Sequence, residues 1–203
     1  MHKGSEEFSL YTIEEFEKLM GIVYIQALQF KEADFLSDVQ RKCLKMLAKN
    51  KLDRKQKWLG VYFSKEIISC VYPEFSIRFI NEIIGYGVFA EKEILANTYI
   101  GEYTGDLRKR TFWEDKKNKY LFEYYLGELM TSKYLIDAQE RGNHTRFINH
   151  SDYPNVEPIA VIAEGILRII FFSKRKIAPG EQLCYDYGEG YWNSRIKLGI
   201  DPK

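Results

Sequence analysis

The chain has 203 residues, 45% of them hydrophobic, which suffices for a domain with a real core plus an extension and excludes wholesale disorder. Lys and Arg number 30 against 29 Asp and Glu, a net charge of +1, so a uniformly basic nucleic-acid coat is excluded while local basic patches are not. Three dispersed cysteines, Cys43, Cys70 and Cys184, argue against a disulfide framework and a four-cysteine zinc site, and fifteen tyrosines raise the question of where so many polar ring tips go.

The first residues, Met1 to Glu7, lead into no apolar run of the signal-peptide kind. The longest apolar stretch, 159–172, is broken by Glu164, Gly165 and Arg168 and is too charged to span a bilayer. The expectation is a soluble, intracellular chain with reduced thiols and no membrane partner; secretion by another signal stays open. Without a signal peptide, the sequons at Asn143 and Asn149 read as chance matches.

Thr12-Ile13-Glu14-Glu15 fits a capping box, and Ile13, Phe16, Leu19, Met20 and Val23 follow at helical spacing. A second amphipathic run carries Phe35, Leu36, Val39, Cys43, Met46 and Leu47, which predicts two packed helices or one helix broken near Gly21. Residues 41–57 hold eight Lys or Arg and one Asp, either a solvated helix face and linker or a contact for nucleic acid or acidic protein. From Trp58 the pattern changes to short β-branched and aromatic runs at 58–63, 75–80, 98–103, 120–126, 134–137, 156–163, 167–172 and 182–187, punctuated by Gly, Pro, Asn and Asp. A short helix is expected at 111–118 and another near Tyr191. Many short strands without regular helices between them predict a mostly β domain of small sheets.

Three segments carry the chemistry. They are Gly85-Tyr86-Gly87 with Glu102-Tyr103-Thr104-Gly105-Asp106; Gly142-Asn143-His144-Thr145-Arg146-Phe147-Ile148-Asn149-His150-Ser151; and Pro179-Gly180-Glu181-Gln182-Leu183-Cys184-Tyr185-Asp186-Tyr187-Gly188. In order and spacing, over residues 73–193, they resemble the SET-domain family of protein lysine methyltransferases. The Gly-x-Gly alone carries little weight; the Arg-Phe-Ile-Asn-His-Ser run is highly specific. The resemblance implies several small curved sheets and a pseudoknot in which the Asn-His and Tyr-Asp-Tyr segments cross to build one site. It implies S-adenosyl-L-methionine as cofactor and a protein lysine as acceptor. The division it suggests is an α-helical N-terminal extension over 1–72, a SET domain over 73–193 and a tail over 194–203.

By this resemblance Ile84, Gly85, Tyr86 and Gly87 contact the cofactor mainly through backbone, the glycines admitting close approach. Asn149 and His150 hold its amino-acid end and adenine, Tyr120 packs beside its methionine part, and Tyr191 covers the adenine unless it is an ordinary core aromatic. Asn143 and Arg146 match positions supporting the same wall, and for Arg146 a fold brace and a ligand contact weigh equally. Methyl transfer needs a neutral amine, whereas free lysine has a pKa of ~10.4. An apolar channel lowers that value, and alignment of nitrogen, methyl and sulfur supplies rate. Tyrosine rings exclude water while their hydroxyls orient the amine. Tyr187 is expected as the principal catalytic residue, Tyr103 as a second hydroxyl lining the lysine channel, and Tyr185 as the group limiting the product to mono- or dimethyl-lysine. No conventional general base is assigned.

Many relatives carry a cysteine after Asn-His-Ser and a trailing cysteine cluster that bind zinc; here Asp152 stands in that place and residues 191–203 hold no Cys. No metal is therefore expected, and a compact, chlamydia-type member is indicated. The channel must be closed by the tail, the N-terminal helices or a second subunit. The expected substrate is a histone or histone-like basic tail, for which Glu123, Glu128, Asp137, Glu140 and Asp152 offer carboxylates. The alternatives are a non-catalytic chromatin- or partner-binding module and a methyltransferase for a non-histone lysine. The N-terminal helices are expected to pack against the domain or to form a homodimer, and the setting to be nucleus or chromatin, or that of a secreted effector.

Overall fold

The chain enters helix α1 (Ile13–Met20) through the capping box read in its sequence. The Thr12 hydroxyl accepts from the Glu15 amide at 3.2 Å and the Glu15 carboxylate accepts from the Thr12 amide at 2.8 Å. Gly21, at φ +63°, ends the helix in the left-handed conformation. The structure, a computed structural model, describes residues 12–30, 33–111, 115, 118–127, 132–189 and 191. Most of the helix expected over 111–118 and Glu128 lie outside the described residues, as does the tail beyond Tyr191.

Two short strands follow. β1 (Val23–Tyr24) pairs in parallel with β9 (Arg141–Gly142), and β2 (Gln29–Phe30) pairs in parallel with β6 (Asp106–Lys109). The N-terminal segment is therefore woven into the sheets of the domain as well as helical. Helix α2 (Ala33–Ala48) buries Val39, Cys43 and Met46 on the stripe its spacing predicts.

The strand expected over 58–63 is instead helix α3 (Arg54–Tyr62), followed by α4 (Ser64–Ser69). Asp53 and Gln56 form a second capping box, and Leu59, Phe63 and Ile67 recur every four residues and are buried. Aromatic and β-branched composition suggests a strand; the start signal and the period decide for helix. Those three side chains form a separate apolar cluster with Tyr99, Val161, Ala163, Ile170 and Phe172. A Cβ at Gly60 would lie 2.9 Å from the Ile162 carbonyl, so a glycine lets α3 sit directly on the sheet.

That sheet has the order β11 (Val156–Ala163), β12 (Ile166–Ser173), β5 (Tyr99–Glu102), all antiparallel. A second sheet runs β2-β6-β8-β7, with β7 Leu121–Tyr124 and β8 Tyr134–Asp137. β3 (Phe75–Asn81) and β4 (Gly85–Ala90) form a hairpin, and β10 (Asn149–His150) pairs in parallel with β13 (Cys184–Tyr185). The result is mostly β, in several small sheets with N-terminal helices, as expected. The strand expected over 182–187 shortens to β13, with Gln182 bridging Phe89.

The hydroxyls of buried tyrosines end on backbone oxygens: Tyr103 donates to Tyr120 O at 3.0 Å and Tyr124 to Leu167 O at 2.6 Å. A buried phenol tip satisfied this way joins two segments while its ring fills the core.

Candidate functional site

β10 and β13 place the Asn-His and Tyr-Asp-Tyr segments side by side. Asn155 locks them: its Oδ1 accepts from the Cys184 amide at 2.8 Å, and its Nδ2 donates to Gln182 O at 2.8 Å and to Glu181 Oε1 at 2.9 Å. Asn155 is itself 3% exposed, so its side chain makes these bonds from inside the fold. Just beyond the pair, the Tyr187 hydroxyl donates to Ile148 O at 3.0 Å and its amide donates to His150 Nδ1 at 3.2 Å. His150 therefore carries its proton on Nε2, which faces Asp152 Oδ1 at 3.3 Å.

The rings then form a continuous wall. Tyr187 lies 4.6 Å from Tyr185 and 4.6 Å from Tyr191, centroid to centroid, and Tyr185 lies 5.0 Å from Phe171. Phe122 joins Tyr103, at 5.1 Å, to Phe171 and Tyr185, each at 6.3 Å. Burial is the largest influence on the phenols of Tyr103, Tyr185 and Tyr187 and pushes the pKa of each well above the ordinary tyrosine value. All three are neutral hydroxyls at physiological pH, able to orient a lone pair and unsuited to act as phenolate bases.

Arg146 packs on two further rings. Its guanidinium sits 3.8 Å over the Tyr120 ring and 4.8 Å over Phe147, and it donates to Gln139 O at 3.1 Å. Burial lowers its pKa, and its buried Nε has no hydrogen-bond partner. Bracing and an open donor thus coexist in one side chain.

The hairpin β3–β4 completes the arrangement. Asn149 Nδ2 donates to Tyr86 O at 3.0 Å, and the Tyr86 ring meets Phe147 edge-on at 6.3 Å. The two glycines serve different ends. A Cβ on Gly87 would come within 2.7 Å of Gln182 Nε2 and 3.1 Å of Asn149 Nδ2, whereas Gly85 has open space and is needed for its φ of +80°. Gly87 thus has no room for a Cβ against neighbouring side chains of the fold, while backbone conformation explains Gly85. Ile84 is 52% exposed in the tight turn, and its amide donates to Asn81 Oδ1 at 2.9 Å.

Phe122 and Phe171 are site residues that the sequence motifs do not single out. Tyr120, Phe122 and Tyr124 alternate along one face of a strand, a signal that points Phe122 toward Tyr120. The Ile148 carbonyl carries no sequence signal at all. Of the expected acidic surround, Asp137 is engaged by Arg108 at 2.9 Å and Glu123 by Arg110 at 2.6 Å, while Asp152 has an 88% exposed side chain beside His150. Cys43, Cys70 and Cys184 lie in α2, after α4 and in β13, far apart in the element order.

The SET domain family model matches residues 85–188, just over half the chain. The chain is 40% identical over 120 residues to the Homo sapiens protein "Histone-lysine N-methyltransferase EHMT1", covering 57% of this chain and 9% of that one. It is 39% identical over 136 residues to "Histone-lysine N-methyltransferase ASHH3" of Arabidopsis thaliana, covering 60% of this chain and 37% of that one. Much of those relatives therefore has no counterpart here. Among solved structures, "ctPRC2 in an autoinhibited conformation bound to S-adenosylmethionine" is similar with a TM-score of 0.54 and 29% identity, over 66% of this chain and 17% of that one. "Crystal structure of an active polycomb repressive complex 2 in the basal state" has a TM-score of 0.55 and 29% identity, over 61% and 16%.

Proposed function

The chain belongs to the SET-domain family, and from that premise we propose that it is an S-adenosylmethionine-dependent protein-lysine N-methyltransferase acting on a histone or histone-like basic tail. The observation that carries this is the set of neutral phenols, buried Tyr103 and part-buried Tyr185 and Tyr187, walled by Phe122 and Phe171, with Tyr187 bonded to Ile148, the chain neighbour of the Asn149 that bonds Tyr86. An ammonium entering such a wall loses hydration, which favours the neutral, nucleophilic amine. The fixed hydroxyls then orient it.

The residues present fit the cofactor. The unpartnered Nε of Arg146, which stacks on Tyr120, suits a carboxylate, and Tyr191, Asn149, His150 and the backbone of 84–87 are the remaining groups proposed to hold it. When bound, S-adenosylmethionine supplies an electrophilic methyl on a sulfonium. Tyr187 holds its hydroxyl at the methyl-transfer point, Tyr103 lines the lysine channel and Tyr185 limits the room for added methyl groups. The substrate lysine loses its proton to water.

We infer further that this is a compact, chlamydia-type member whose lysine channel closes without zinc, since Asp152 and the dispersed cysteines offer no ligand set. The N-terminal helices act by packing, supported by the burial of Leu59, Phe63 and Ile67 against the β11-β12-β5 sheet. The boundary near residue 73 then marks the start of the matched pattern and not of an independent folding unit. Among the described residues no helix is long and apolar enough to cross a membrane. Chromatin is the setting that the substrate class implies.

The test is incubation of the full chain with S-adenosylmethionine and mixed histones, followed by mass spectrometry. Added multiples of a methyl mass on a lysine support the reading. Cofactor binding without transfer to any protein would instead make the chain a binding module.

A further inference from the structure

The basic run at the corner between α2 and α3 has no part in the methyl-transfer site. Lys45 lies in the last turn of α2, Lys49 stands just past its end with its amide donating to Lys45 O at 3.0 Å, Lys51 follows in the connecting turn, and Arg54 opens α3; all four are exposed, and none makes a side-chain hydrogen bond or ion pair among the described residues. Lys57 ties the corner together by donating to Asn50, and Lys55 is paired with Glu157 at 2.7 Å. No acidic residue stands in the first turn of α3. A cation at a helix start opposes its dipole, so the stability of α3 does not account for Arg54.

One turn along from Arg54, the rings of Trp58 and Tyr62 stack at 4.6 Å with 17° between planes. They are 55% and 54% exposed, and Val61 beside them is 77% exposed. The inner face of the same helix buries Leu59, so the aromatic pair is not a core feature turned outward by chance of register. Flat rings flanked by uncompensated cations combine the two elements that hold a nucleic-acid strand: charges for phosphates and a π-face for an unpaired base.

We infer that this corner is a nucleic-acid surface, with Lys45, Lys49, Lys51 and Arg54 contacting phosphates and Trp58, backed by Tyr62, stacking an unpaired base. It serves to hold the chain on nucleic acid, apart from the residues proposed to transfer the methyl group.

The test is fluorescence anisotropy of a labelled, mixed-sequence single-stranded oligonucleotide with the full chain over a range of salt. Binding should weaken linearly with log salt and quench tryptophan fluorescence. The triple variant Lys45→Ala, Lys49→Ala, Lys51→Ala should bind at least ~10-fold more weakly, with a salt slope shallower by about 2, at ~0.7 per phosphate contact on a single strand. Trp58→Ala should lose the quench and about tenfold in affinity with the slope unchanged. Both variants replace exposed side chains, so circular dichroism should match the parent, as should transfer to a free histone peptide. No binding at low salt, or wild-type binding by both variants, overturns the proposal. So does equal affinity for a polyglutamate peptide, which would assign the face to acidic proteins, or for a blunt duplex unaffected by Trp58→Ala.

Discussion

The hydroxyl of Tyr187 donates to the carbonyl of Ile148 at 3.0 Å, although a long β-hairpin separates the two residues in the chain. The bond ties the end of the Tyr-Asp-Tyr segment to the residue that precedes Asn149. The phenol is thereby aimed by backbone rather than by a mobile side chain, which is what a methyl-transfer geometry requires.

Replacing Tyr187 with Phe keeps the ring contacts to Tyr185 and Tyr191 and removes only the hydroxyl. Turnover should fall at least ~100-fold, the scale for loss of one positioned donor at a reacting centre. Cofactor affinity measured by calorimetry should stay within a few-fold. Wild-type transfer of label by the variant would remove Tyr187 from the catalytic role.

Tyr185 is part-buried, its ring wedged between Phe171 and Tyr187. On the proposed reading, Tyr185→Phe frees the volume of one oxygen beside the substrate amine. Mass spectrometry of products should show a shift toward higher methylation states. Trimethyl-lysine as the main product of the unaltered chain would contradict the assignment.

His144 is buried against Tyr72, 4.5 Å away, and Phe75, 5.1 Å away, with Nε2 at 2.9 Å from Ile100 O. Burial lowers its pKa from an ordinary 6.5 to about 4. The unfolded chain takes up this proton near the ordinary value and the folded chain only near the lowered one. The stabilisation is therefore complete above the unfolded pKa and is lost as pH falls toward the folded value. The loss is about 2–3 kcal/mol across the window, at ~1.36 kcal/mol per unit. Denaturant titrations at neutral pH and at the acid end of the window should show it, and His144→Gln should flatten it. An equally steep loss in the variant would place the acid sensitivity elsewhere.

Gly60 lets α3 lie on β11, since a Cβ at this position would stand only 2.9 Å from Ile162 O and 3.3 Å from Val161 Cβ. Gly60→Ala must lift the helix off a backbone oxygen that cannot swing away, and should cost about 1–3 kcal/mol despite the better helix propensity of alanine. Thermal unfolding checks this. A rise in melting temperature would mean that α3 is loosely docked and that the N-terminal helices do not brace the sheet.

Much of this is open to inspection in the sequence. The runs around Asn149-His150 and Tyr185-Asp186-Tyr187 announce themselves because chemistry restricts which side chains can stand there. The capping box at Thr12 and the strands at Tyr134–Asp137 and Val156–Ala163 are legible because their signals are local. Residues 58–63 mislead because aromatic and β-branched content speaks for a strand, while the four-residue period that makes α3 a helix emerges only when Leu59 is followed through to Ile67.

What the sequence determined by itself is thus the family and the fold class, together with the set of tyrosines proposed for the site, since each depends on residue type and short-range spacing. Tertiary structure alone decided where the phenol tips go, why Gly85 and Gly87 are glycines for different reasons, and that Val23–Tyr24 and Gln29–Phe30 join the sheets of the domain. Two-residue strands carry no periodicity, and the acceptors of these tyrosine hydroxyls, the carbonyls of Ile148, Tyr120 and Leu167, belong to backbone that every sequence shares. Such pairings are set by which distant segments the core brings together, and nothing local in the chain encodes them.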